Sequence, residues 1–67
     1  MRELRREGAR RLREAGVPSP EYDADELLAF VLGVTRPALA LVDGVTPVQR
    51  AAFDALVKQA QAALGKA

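Results

Sequence analysis

Val17-Pro18-Ser19-Pro20-Glu21-Tyr22-Asp23-Ala24-Asp25-Glu26-Leu27-Leu28-Ala29-Phe30-Val31-Leu32-Gly33 is a chain break followed by a complete helix signal, and it decides the fold class of this 67-residue chain. Each proline disfavours helix at the residue before it, so the preceding element must stop by Val17. Ser19 then offers a hydroxyl at an N-cap, and Pro20 already has the φ angle of a first helical residue. Glu21, Asp23, Asp25 and Glu26 place negative charge in the opening turns, where the positive end of the helix dipole favours each by ~0.3–1 kcal/mol. Ala24, Leu27, Leu28, Val31 and Leu32 recur at helical spacing as an inward stripe with Phe30 off its centre, and Gly33 ends the element.

Upstream of the break, Leu4, Gly8 and Leu12 recur at four-residue steps. They predict a helix from Arg2 to about Ala15 with Gly16 as a left-handed cap. Glycine in a helix interior costs about 1 kcal/mol relative to alanine, so Gly8 on the inward seam implies a close helix crossing. Downstream, Thr35 caps a short helix from Arg36 to about Val42, with Leu39 and Val42 on one side and Leu41 beside them. Asp43-Gly44 reads as a turn, and Thr46-Pro47-Val48-Gln49 has the capping-box pattern that opens a helix. Phe53, Leu56, Val57, Ala60 and Leu64 give that last helix its apolar stripe, with an end near Gly65. No stretch alternates apolar and polar residues long enough for a strand. The expectation is an all-α single domain over residues 1–67, a small orthogonal helical bundle of four to five helices.

Composition narrows the function classes. Hydrophobic residues make up 49% and charged residues 28%, which suits a globular chain and excludes the charge-rich disordered class. With neither cysteine nor histidine there is no disulfide, no thiolate nucleophile and no imidazole base or metal ligand. Leu27 to Leu32 is the longest apolar stretch, far short of the ~20 residues of a membrane span, and the N-terminus lacks a secretory signal. The expectation is a soluble, cytoplasmic protein.

The search for chemistry returns little. Glu21, Asp23, Asp25 and Glu26 lie on a helix start, not in a glycine-containing loop of alternating oxygen ligands, so they predict neither a catalytic pair nor a metal site. The five glycines are scattered and form no phosphate cradle, and Ser19 has no histidine to activate it, so its expected role is the cap. No catalytic, cofactor-binding or metal-ligating residue is expected. Tyr22 and Phe30 are expected in the core or at its edge.

The first helix is the one feature suited to a partner. Arg2, Arg5, Arg6, Arg10, Arg11 and Arg13 fall within thirteen residues, although the net charge is only +1. Arg6, Arg10 and Arg13 are the candidate partner-binding residues. The competing reading is a solvated face with internal pairs, Glu7 with Arg11 and Arg10 with Glu14, at four-residue spacing.

From Pro18 to Gly33 the chain resembles the N-terminal domain of the HemK/PrmC family of peptide-chain release factor glutamine methyltransferases. Leu12-Arg13-Glu14-Ala15-Gly16-Val17 upstream, and Arg36, Leu39, Leu41, Val45-Thr46-Pro47 and Phe53-Asp54-Ala55-Leu56-Val57 downstream, follow the same pattern, so the resemblance covers roughly residues 3–57. It implies a helical domain that precedes a C-terminal methyltransferase domain and helps it engage class I peptide-chain release factors in translation termination. It also implies that S-adenosylmethionine is bound by that second domain, which methylates the glutamine of the release factor's Gly-Gly-Gln motif. This chain has no Asn-Pro-Pro-Tyr motif and no glycine-rich cofactor loop, so no catalytic residue carries over. From Lys58 to Ala67 the sequence departs from the family pattern, which fits an isolated domain with an altered tail or a redesigned sequence.

Two rivals remain at the level of sequence. One is a small nucleic-acid-binding helical module, which the near-neutral charge and acidic second helix disfavour. The other is an isolated or redesigned folding-model bundle with no partner, favoured by the simple Ala-Gln tail.

Overall fold

The computed structural model describes residues 1–65, and among these there are three α-helices, one 3-10 turn and no strand. Helix α1 spans Arg2–Glu14, α2 spans Pro20–Leu32, the 3-10 turn spans Pro37–Leu41 and α3 spans Pro47–Gly65. The all-α expectation holds, while four to five helices become three. The segment after Thr35 is the reason for the difference. It has room for only five residues before Val42 turns extended (φ −85°, ψ 126°). Its bonds are the shorter i→i+3 kind, Ala38 N to Thr35 O at 3.1 Å and Leu39 N to Arg36 O at 3.0 Å. Thr35 contributes its carbonyl, and the N-cap position falls on Arg36 with no side-chain bond. Asp43-Gly44 makes no turn, because residues 42–46 form an irregular link without a positive φ.

Both glycine stops work as expected, and each closes with the same pair of bonds. At the end of α1, Gly16 (φ +94°) donates to Arg13 O and Val17 donates to Leu12 O, each at 3.0 Å. At the end of α2, Gly33 (φ +70°) donates to Phe30 O at 3.3 Å and Val34 to Ala29 O at 3.0 Å. This is the Schellman arrangement, in which a left-handed glycine lets the next residue reach back and cover the last turn. Val17 is buried as a consequence, and Val34 packs on the core. At the start of α3 the capping box is reciprocal: Thr46 N donates to Gln49 Oε1 at 2.9 Å, and Gln49 N donates to Thr46 Oγ1 at 3.1 Å. Ser19 differs. It occupies the N-cap of α2, but its hydroxyl makes no capping bond and only its carbonyl takes part, accepting from Asp23 N at 2.9 Å.

The three helices pack on one another, α1 most extensively against α2, around Leu12, Leu28, Leu39, Phe53 and Val57. Leu4, Gly8, Ala9 and Leu12 are the buried residues of α1, and Gly8 is where Phe53 of α3 and Ala24 of α2 come closest to its backbone. The expected stripe of α3 is narrower than its spacing implies: Phe53 and Val57 are buried and Ala60 packs against them. Leu56 is only half-buried and lies outside the core cluster, while Leu64 is exposed. Tyr22 and Phe30 correct the expectation of a core position, being 50% and 78% exposed. Phe30 lies beyond the edge of the buried stripe of α2, and Tyr22 lies flat against Arg36, whose guanidinium carbon is 4.2 Å from the ring centre. The last two residues of the tail, Lys66 and Ala67, lie outside the described residues.

Candidate functional site

Arg2, Arg5, Arg6, Ala9, Arg10 and Arg13 follow one another at three- and four-residue steps, so α1 presents them along a single face. Glu21 and Asp25 of α2 form the facing wall of an open groove of about 660 Å³. Ala9 is the only small side chain in this row and is buried at the groove floor, with arginine stems on either side of it. The three arginines singled out from sequence, Arg6, Arg10 and Arg13, therefore meet in one place. Arg2, Arg5 and Ala9 line the same groove and fall outside the candidate set of Arg6, Arg10 and Arg13; the helical steps Arg2-Arg6-Ala9-Arg13 and Arg2-Arg5-Ala9 are the signal that places them there.

The arginines differ in how firmly they are held. Arg5 makes a bidentate bridge to Asp25, Nε to Oδ1 and Nη2 to Oδ2, both at 2.9 Å, with side chains only 34% and 21% exposed. Hydrogen bonding to Asp25 raises the Arg5 guanidinium above its ordinary basicity, against a smaller opposing effect of burial. This pair ties α1 to α2 along the groove. Arg10 pairs with Glu14 one turn on at 3.1 Å, and Arg13 pairs with Glu21 across the groove, all four side chains being more than half exposed. Arg2 and Arg6 have no ionic partner among the described residues.

Away from the groove, Arg11 departs from the expected pairing with Glu7. It donates to Asp54 Oδ1 at 2.7 Å and to Gln61 Oε1 at 3.2 Å, bridging α1 to α3. Arg11 and then Lys58, whose Nζ lies 3.2 Å from Oδ2, hold the Asp54 carboxyl below its usual range. The acidic turns of α2 thus do more than complement a dipole, since Glu21, Asp25 and Glu26 each face an arginine, Glu26 meeting Arg36 at 3.9 Å. No group of acidic side chains among the described residues is arranged to hold a metal ion. No helix among them is long and apolar enough to cross a membrane.

Residues 3–63 match the family model described as the PrmC N-terminal domain. That match continues through Lys58–Ala63, so the departure read from the tail begins later than the sequence pattern implied. Over 44 residues, 66% of this chain, the sequence is 50% identical to the release factor glutamine methyltransferase of Deinococcus radiodurans. The matched stretch covers 16% of the length of that relative. No solved structure matches the chain.

Proposed function

Because this chain belongs to the PrmC N-terminal domain family, we propose that it is the noncatalytic, substrate-recognising part of a release factor glutamine methyltransferase. Its partners on this reading are a class I peptide-chain release factor and a C-terminal methyltransferase domain, in the cytoplasm. The observation that carries the reading is the family match over nearly the whole chain, joined to a relative whose name states the reaction. Arg6, Arg10 and Arg13, gathered on one groove, are the residues we assign to the contact.

Charge supports keeping the cofactor elsewhere. S-adenosylmethionine carries a positive sulfonium, and the groove between α1 and α2 is lined by five arginines against two carboxylates, the wrong sign for it. The chain also lacks a glycine-rich loop and any imidazole or thiol, so the residues present do not fit the cofactor. The domain contributes position. Anchoring a large protein substrate away from its reacting side chain strengthens ground state and transition state alike, which acts on KM more than on the chemical step.

The test uses radiolabelled methyl transfer to purified release factor. It compares the chain alone, the D. radiodurans enzyme without its matching N-terminal segment, and that enzyme with this chain in place of the segment. We expect no transfer by the chain alone, a raised KM for the shortened enzyme and recovery in the chimera. Transfer by the chain alone would overturn the noncatalytic role, and equal KM for shortened and intact enzymes would overturn recognition.

A further inference from the structure

The row Arg2, Arg5, Arg6, Ala9, Arg10 and Arg13 spans twelve residues of α1, or about 16 Å of helix axis from first to last. Asp25 pairs with Arg5, Glu21 with Arg13 and Glu14 with Arg10, which leaves Arg2 and Arg6 as two positive charges without an ionic partner among the described residues, although the whole chain carries a net charge of only +1. Positive charge is therefore concentrated on this one face. We propose that the groove between α1 and α2 is a docking site for an acidic polypeptide segment, with an apolar side chain seated over Ala9 and carboxylates met by Arg2, Arg6, Arg10 and Arg13. The proposal rests on the recognition reading above and gives its site and the chemistry of its partner.

Three observations favour that occupant. Arg2 and Arg6 have donors to offer without breaking any pair among the described residues. Arg10 and Arg13 are held only by exposed carboxylates, and such pairs contribute little, so an incoming carboxylate can exchange with Glu14 or Glu21 at small cost. The half-buried Arg5–Asp25 bridge stays in place and keeps the wall of α2 against α1, so the groove is preformed. The occupant must also tolerate the carboxylates of Glu21 and Asp25 and an apolar floor made of Ala9 and arginine stems. A polypeptide that mixes acidic and apolar residues does so, whereas a continuous phosphate backbone meets repulsion from the α2 wall.

The experiment is a titration of the isotope-labelled chain, followed by its amide NMR shifts. The probes are a synthetic peptide of glutamates and leucines, about twelve residues long to match the groove as a helix, its glutamine analogue, and a single-stranded oligouridine. We expect shifts confined to Arg2–Arg13 and Glu21–Asp25 with the acidic peptide, weakening as salt is raised, and affinity reduced about tenfold or more in Arg6→Glu/Arg10→Glu. Both substituted side chains are exposed, so thermal unfolding of the variant should stay close to that of the parent chain. Equal binding of the glutamine analogue, shifts on another face, or preference for oligouridine would overturn the proposal. The same double variant in the chimeric enzyme separates this proposal from the recognition reading. Unchanged KM in that variant beside a raised KM in the shortened enzyme would sink the groove and leave recognition standing. Peptide binding in the groove with equal KM for shortened and intact enzymes would do the reverse.

Discussion

The ring of Phe53 occupies the space that a side chain on residue 8 would need. A Cβ built on Gly8 would lie 2.5 Å from Phe53 Cζ and 2.9 Å from Cε2, with the Ala24 Cβ at 3.6 Å. Gly8 is thus the point at which α1, α2 and α3 meet, and the absence of its side chain is what allows the largest residue of the core to close the bundle.

Gly8→Ala should consequently lose stability despite its better helix propensity. The gain is about 1 kcal/mol, and overpacking against a ring that is 1% exposed costs about 1–3 kcal/mol. Replacing Phe53 with leucine shortens the side chain facing Gly8, so Gly8→Ala should cost less in that background. Urea denaturation of both single variants and the double variant should give a favourable coupling of about 0.5–3 kcal/mol. Purely additive costs would show that the two positions do not compete for space.

Leu28 and Leu56 should separate core from margin. Leu28 is fully buried, and Leu28→Ala should cost about 2–5 kcal/mol, comparable to the ~3–5 kcal/mol that a domain of this size can hold. That variant should be largely unfolded by circular dichroism. Leu56 is half-buried and outside the core cluster, so Leu56→Ala should cost less than ~2 kcal/mol in urea denaturation. Equal effects would place Leu56 in the core after all.

The two hydroxyl caps should also respond differently. Thr46→Ala removes one half of a reciprocal capping box and should cost ~0.5–2 kcal/mol, whereas Ser19→Ala removes a hydroxyl with no capping bond and should stay within ~0.5 kcal/mol. A large loss at Ser19 in a thermal melt would mean that its hydroxyl caps α2 in solution.

Local punctuation made much of this fold legible. Gly16 and Gly33 end their helices because each supplies a left-handed φ at a helix end, and Thr46 and Gln49 open α3 through bonds that span only three residues. Gly8 was readable for a different reason, since glycine on an apolar seam is costly unless something approaches closely. The features that sequence spacing missed depend on long-range geometry. Leu56 shares its helical period with Phe53 and Val57, but the packing of α1 and α2 covers only part of that face. Arg11 had Glu7 one turn away and instead reaches Asp54, a partner 43 residues distant. The groove was half legible: Arg6, Arg10 and Arg13 were named from charge, while its second wall exists only because Glu21 and Asp25 are brought alongside by the packing of α2.

The Arg11–Asp54 contact has a pH signature. Hydrogen bonds from Arg11 and Lys58 favour the ionised Asp54 carboxylate and lower its pKa from the ordinary 3.8. Near neutral pH the carboxylate is ionised in both folded and unfolded chains, so the contribution of the contact to stability is fully present. As pH falls through about 4, the unfolded chain takes up the proton first, and stability declines until the folded carboxyl is protonated too. Asp54→Asn keeps an oxygen for Arg11 but removes the titration. The difference in stability between parent and variant should therefore be constant above about pH 5 and shrink as the pH is lowered further. Urea midpoints measured from neutral pH downward read this directly, and the comparison cancels the titration of the other carboxylates. A difference that stays constant through the acid range would show that Asp54 carries no folded-state preference for its charged form.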